Sequence, residues 1–326
     1  MAARVSLGEI SSPHLPAAVP YAVLEPIADR PLPLCILLLG AGGTRDHLAD
    51  LQPVFDGWWA EGAVPPMIVA TPTPANDYYM EDPGGRIRWD SFLAGDFVRH
   101  LRATCNAGGA TLLAGISGGG YGALKLAFDR PHDFAAVAAM QPMLEPALRE
   151  CDVRPRNRLH HAAGGPPELI GEQRNPALWE SNNPANRARA NAEKIREAGI
   201  AIYLEAADRD FLNAHDGAEF LHRLLWDLDL PHEYRLIHGA DHGGPTMRPR
   251  MRSMFAWFGG VVNPAPRDPA AEEAAARWIE SGMQGKPPAG ATATERFIQT
   301  LRARFEPLRD KAAERDPTVK RRLGPV

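Results

Sequence analysis

The sequence predicts an α/β fold built on a mostly parallel, doubly wound sheet. Three observations carry that prediction. Strand-like and helix-like segments alternate from about residue 30 to 260, the strand-like runs are apolar at nearly every position, and two of them end in glycine-rich turns. Alternation of strand and helix favours parallel βα units. A run without polar alternation suits a strand covered on both faces, as in a parallel sheet. Such sheets hold their sites at the carboxyl ends of the strands.

Taken in order, Leu34 to Leu39 is a strand ending in Gly40-Ala41-Gly42-Gly43. His47 to Gly62 is a helix, because Leu48, Leu51, Val54, Phe55, Trp58 and Trp59 fall on one face. Met67 to Ala70 is the next strand and runs into a proline-rich, aromatic loop over residues 71–85. Trp89 to Cys105 is a helix with Phe92, Phe97, Val98 and Leu101 on its apolar face. Thr111 to Ala114 is a strand, Gly120 to Phe128 a helix of small residues, and Phe134 to Met140 a strand. Ile200 to Glu205 (strand), His215 to Leu230 (helix), Tyr234 to Ile237 (strand) and Met251 to Phe258 (helix) complete the alternation.

Two regions break it. Residues 146–197 are polar and interrupted by Pro155, Pro166, Pro167, Pro176 and Pro184, which predicts an irregular insertion. At a carboxyl edge it would form a partial cap over the site; an ordinary long connection is the alternative. The second break follows Asn263. Thr292 and Glu295 have the spacing of a capping box. Ile298, Leu301, Phe305 and Leu308 then form an apolar stripe at helical spacing. The expected organisation is a domain over residues 1–263 and a helical C-terminal extension over 264–326. Its stripe would pack on that domain or join two copies as a homo-oligomer.

The 326 residues include 40 acidic and 36 basic side chains, for a formal charge of -4. That balance opposes nucleic-acid binding, which needs a basic surface. The three cysteines, Cys35, Cys105 and Cys151, are too scattered for a disulfide framework or a metal-ligand pattern. The apolar strand-like runs are too short to span a bilayer. The segment MAARVSLGEISSPHLP lacks the basic and apolar regions of a signal peptide. The expectation is a soluble, cytoplasmic protein with no membrane partner.

The chemistry begins at Gly115-Ile116-Ser117-Gly118-Gly119, a G-x-S-x-G at a strand-to-helix junction. This is the nucleophile-elbow pattern, in which a tight turn lifts the serine hydroxyl clear of the sheet. A serine hydroxyl needs a base to take its proton and an acid to orient that base. Asp208 and Asp210 follow the strand ending at Glu205, and His242 lies in the glycine-rich segment after the last strand. His238 ends that strand, and His160, His161, His215, His222 and His232 lie in the insertion, a helix or a helix end. An oxyanion needs two N–H donors. Gly118 offers one, and Ala41, just after the turn at Gly40, the other.

Competing patterns fail at specific residues. Gly40-Ala41-Gly42 begins a G-x-G-x-x-G that Arg45 breaks. Gly118 to Ala123 fits a G-x-G-x-x-A dinucleotide fingerprint, with Glu145 near the place of a ribose-binding acid, but it leaves Ser117, Asp210 and His242 unexplained. His238 and His242 have i, i+4 spacing, but Gly239 and Gly243 oppose a helix and no adjacent glutamate stands ready as a zinc-protease base. No cofactor and no metal is expected.

At these residues the chain resembles the α/β-hydrolase superfamily. Within it, it resembles the esterase branch containing esterase D (S-formylglutathione hydrolase), feruloyl and acetyl-xylan esterases and the mycolyltransferases. The matching stretches are LLLGAGG (37–43), GISGGGYGALKLAFDRP (115–131), EAADRDFL (205–212) and HEYRLIHGADH (232–242). The resemblance implies an α/β-hydrolase fold over roughly residues 30–260, with Ser117 as nucleophile, Asp210 as acid and His242 as base. It makes the Ala41 and Gly118 amides the oxyanion donors. In this fold the acid usually stands three residues beyond a small turn residue, here Ala207, with an aliphatic residue soon after, here Leu212. Asp208 is the alternative acid. Two departures are visible: Leu39 stands where the branch usually has histidine, and Ile116 and Gly118 flank the serine where S-formylglutathione hydrolases usually have histidine and methionine.

The expected function is a serine hydrolase that cleaves small-molecule carboxylic esters or thioesters through an acyl-enzyme. Transfer of the acyl group to an alcohol by the same residues is a variant. The alternative is a non-catalytic hydrolase-fold protein that binds a ligand or partner.

Overall fold

The computed structural model describes residues 3–73, 78–82, 84–158, 175–266, 268–283 and 289–315. Parts of the predicted aromatic loop (74–77 and 83), of the insertion (159–174, with His160 and His161) and of the extension (267, 284–288 and 316–326) lie outside them.

Eight strands form one sheet: β1 (Ala3–Ile10), β2 (Val19–Pro26), β3 (Leu32–Leu38), β4 (Ile68–Pro72), β5 (Ala107–Ile116), β6 (Ala136–Met140), β7 (Ala201–Ala207) and β8 (Glu233–Ile237). Their order is β1-β2-β4-β3-β5-β6-β7-β8. The pairings of β3 to β8 are parallel, whereas β2 runs antiparallel to both β1 and β4. The parallel core is the one predicted; the β1–β2 hairpin is an addition to it. After β3 the chain steps to β4 on one side, then returns to place β5 on the other. The strand order therefore reverses between the carboxyl ends of β3 and β5, where open α/β sheets form a crevice.

The continuous apolar runs are covered on both faces. Cys35 and Leu37 of β3, with Leu112 and Ala114 of β5, join a core with Phe55, Trp58, Met254, Phe255 and Phe258 from the helices Gln52–Ala60 and Met247–Val262. Their neighbours Leu34, Ile36 and Leu113 are equally buried and point to the opposite face by strand alternation. The helix Gly118–Asp129 packs along β5, β6 and β3. It comes very close: a Cβ on Gly119 would stand 2.0 Å from the Leu38 carbonyl oxygen, and one on Gly115 2.2 Å from that of Gly119.

Several predicted boundaries move. The helix expected over 47–62 is two helices, Arg45–Asp50 and Gln52–Ala60, because Pro53 opens a new first turn. The helix expected over 89–105 has a π-helical middle, Phe92–Phe97. The insertion is more regular than expected. After short 3₁₀ turns it forms the helices Pro176–Asn182, Pro184–Ala190 and Ala192–Ala198. The side chains of Asn175 and Asn183 cap the first two of these helices, and Pro176 and Pro184 occupy their first turns. The second lies against the helix Gly118–Asp129, and its Arg187 Nη1 meets Asp129 Oδ1 at 2.6 Å.

The chain divides into two compact units, Met1–Trp226 with Leu230–Asn263, and Asp227–Asp229 with Pro264–Val326. In the second unit are the helices Pro269–Met283 and Ala293–Arg315. The capping box is formed: Thr292 N–H donates to Glu295 Oε2 (2.6 Å) and Glu295 N–H to Thr292 Oγ1 (3.2 Å). Ile298, Leu301, Phe305 and Leu308 are exposed, while Gln299 is buried and donates to the Trp278 carbonyl. No described helix is long and apolar enough to cross a membrane.

Candidate active site

Ser117 links the buried end of β5 to the helix Gly118–Asp129 and has φ 59° and ψ −125°. That left-handed backbone disfavours a residue with a Cβ, and three hydrogen bonds fix it. Ser117 N–H donates to the Met140 carbonyl, and the Ser117 carbonyl accepts from the amides of Tyr121 and Met143, all at 3.1 Å. The loop after β3 comes equally near: a Cβ on Gly40 would lie 2.8 Å from Ser117 Cβ.

Ser117 Oγ lies 2.9 Å from His242 Nε2, and His242 Nδ1 lies 2.7 Å from Asp210 Oδ2. The Asp210 side chain is wholly buried, and its Oδ1 accepts from the Leu212 amide at 2.8 Å. A turn bond from Asn213 N–H to the Asp210 carbonyl closes the loop after β7, and a bond from Arg209 N–H to the Ala240 carbonyl ties that loop to the loop after β8. The neighbouring Asp241 Oδ1 accepts from the amides of His242 (2.7 Å) and Phe211 (3.0 Å), which hold its carboxyl below the usual range. Phe211 is exposed and sets its ring edge-on to His242.

Asp208 stands apart from this chain of contacts. Its carboxylate accepts from the Gly239 amide at 2.7 Å and lies 3.0 Å from Nδ1 of the exposed His238. Elsewhere, His222 Nδ1 and His232 Nε2 meet at 2.8 Å. Glu145, the acid of the dinucleotide alternative, is buried and accepts from Trp179 Nε1. Among the described residues, no group of acidic, histidine and cysteine side chains stands ready to hold a metal ion.

Ser117, His242 and Ala41 line one cavity of about 670 Å³. Its walls are largely apolar, from Leu39, Leu51, Ile116, Met143, Leu212, Met247 and Met251. Gly118 opens the helix behind Ser117, and a Cβ there would lie 2.9 Å from the Tyr78 ring. Tyr78, which also lines the cavity, has φ 55° and a phenol that burial pushes up to about 12. Among the described residues, neither the Ala41 nor the Gly118 amide donates to another group.

Among the cavity residues that sequence reading missed are Tyr78 and Gln141. Gln141 carried a usable signal: it is a polar residue closing an otherwise apolar strand. It is buried, with φ 41°.

The family described as Putative esterase matches residues 19–248. The chain belongs to that family. It is thereby an enzyme of the carboxylic ester hydrolase class. Solved structures of similar fold include a ferulic acid esterase, at 18% identity and a TM-score of 0.63 over 80% of this chain and 99% of that one. FphF, a fluorophosphonate-binding serine hydrolase of Staphylococcus aureus, aligns at 15% identity and a TM-score of 0.63, over 79% and 99%. MPT51 of Mycobacterium tuberculosis aligns at 17% identity and a TM-score of 0.60, over 80% and 100%. No curated protein sequence matches the chain. These likenesses give the esterase an α/β-hydrolase fold.

Proposed function

We propose that the protein is a serine esterase that cleaves small-molecule carboxylic esters or thioesters through an acyl-enzyme at Ser117. One observation carries the reading: the unbroken chain of contacts from Ser117 Oγ through His242 to a buried Asp210 carboxylate. That chain ends in the esterase's largely apolar cavity, which favours an apolar acyl group.

His242 Nε2 takes the hydroxyl proton as Ser117 Oγ bonds to the acyl carbon, whose carbonyl electron pair moves onto oxygen. Asp210 accepts from Nδ1, which keeps Nε2 free to act as base and stabilises the imidazolium. The Ala41 and Gly118 amides donate to the oxyanion. Collapse of the intermediate expels the alcohol or thiol, which takes its proton from Nε2. Water then attacks the acyl-enzyme, gives its proton to His242, and the acid leaves as Ser117 recovers its hydrogen.

Ser117→Ala, assayed on p-nitrophenyl esters of graded chain length and with a fluorophosphonate probe, tests this. Labelling should vanish and turnover fall about 10³- to 10⁶-fold with the fold intact. A folded variant that keeps more than about a tenth of the rate would overturn the assignment.

A further inference from the structure

His242 belongs to a loop whose backbone is gripped from below. Arg250 Nη1 donates to the Asp241 carbonyl at 2.8 Å, and Gln141 Nε2 donates to the carbonyl of His242 itself. Arg250 Nε in turn donates to Glu205 Oε1 at 2.6 Å, and Glu205 Oε2 accepts from the Tyr203 hydroxyl at 2.9 Å. The Gln141 backbone amide donates to the backbone carbonyl of the same Glu205 at 2.7 Å. The ends of β6 and β7 and the helix Met247–Val262 thus converge beneath two consecutive carbonyls of the histidine loop.

This arrangement is costly. The Arg250 and Glu205 side chains are 3% and 0% exposed, and a buried ion pair is weak evidence of a gain in stability, because desolvation offsets the attraction. Gln141 holds a left-handed φ of 41°, which disfavours a residue with a side chain. Among the described residues, Arg250 Nη2 and Gln141 Oε1 are buried without a partner. Strain and unpaired polar atoms concentrated beside a reacting group point to a role in placing that group.

We infer that Arg250, anchored by Glu205, and Gln141 are positioning residues that fix His242 between Ser117 and Asp210. The inference rests on the serine esterase reading. Arg250 and Glu205 do not line the cavity, so loss of their part of the clamp leaves its walls intact and lets the imidazole drift, which lowers kcat and spares KM.

The test uses the full-length protein and a p-nitrophenyl ester. In Glu205→Gln/Arg250→Met both charges are gone, and the new amide oxygen would still accept from the Tyr203 hydroxyl, so the melting temperature should hold. We expect kcat to fall roughly 10- to 100-fold, the scale of an ångström misplacement, with KM within about threefold and fluorophosphonate labelling slowed in parallel. Gln141→Met, which touches no buried charge, should give the same fall in kcat and the same slowing of labelling. These two readouts carry the test if the double variant fails to fold, because Gln141 also lines the cavity and its KM reports on substrate contact. A folded variant with near-normal kcat, or with a raised KM and unchanged kcat, would make the clamp a purely structural feature. If the wild type neither turns over esters nor labels, the serine esterase reading falls, and this inference falls with it.

Discussion

Two aspartate–histidine pairs join the loop after β7 to the loop after β8, and their surroundings are opposite. Asp210 and His242 meet at 2.7 Å with side chains 0% and 14% exposed. Asp208 and His238 meet at 3.0 Å with side chains 27% and 85% exposed. Residue types and sequence spacing are nearly the same, so the difference lies in what each pair faces. The first histidine turns its second nitrogen to Ser117 in a cavity; the second turns into solvent, where screening weakens the pair. An aspartate and a histidine become a candidate for chemistry only where the backbone brings a third group to them.

The sharpest way to break this comparison is to remove each imidazole. On the proposed mechanism, His242→Gln loses the base and should lower kcat about 10³- to 10⁶-fold. His238→Gln removes a solvent-exposed ring and should leave kcat within about twofold. Steady-state kinetics on one p-nitrophenyl ester decides both. Comparable losses in the two variants would mean that the loops exchange partners during turnover.

A smaller contrast follows from the acids. Asp210→Asn keeps shape but removes the charge that stabilises imidazolium and selects its tautomer, so kcat should fall on the order of 10²- to 10⁴-fold. Asp208→Asn still offers an oxygen to the Gly239 amide, a bond the aspartate makes at 2.7 Å, and should change kcat little. The reverse result would make Asp208 the acid.

Much of this geometry was legible in the sequence, and what was not has identifiable physical reasons. β3 to β7 and their helices were readable because strands covered on both faces are apolar with little interruption. β8 carries Glu233 and Arg235 and has no buried position, so its place in the strand–helix alternation made it readable. The β1–β2 hairpin was not. Ala3–Ile10 mixes intermediate and exposed positions, and β2 carries Pro20 and Pro26, which argue against a strand away from sheet ends. In the insertion, Pro176 and Pro184 read as breakers but are helix starters, because each follows an asparagine cap. The glycine pattern around Ser117 is local and marks its own turn. The grip of Gln141 on His242 spans 101 residues of sequence, and no periodicity encodes such a meeting.

The smallest effect concerns the exposed pair and its contribution to stability. The hydrogen bond from His238, then that from the Gly239 amide, holds the Asp208 carboxyl below its ordinary value. A carboxylate with a lowered folded-state pKa stabilises the fold while it is ionised in both states. As pH drops below the ordinary aspartate value of about 3.9, the unfolded chain takes up its proton first, and the stabilisation fades until the folded-state value is passed. An asparagine in its place cannot titrate. The melting temperature of Asp208→Asn should therefore lie slightly below that of wild type above about pH 5, by about 1–2 °C for so exposed a group. The two curves should converge as the pH is lowered from about 4 to 2. Thermal melts over that range, at low salt, read the difference directly. A gap that persists unchanged at the acid end would show that Asp208 acts through the shape of its turn, and that the exposed pair contributes no electrostatic stability.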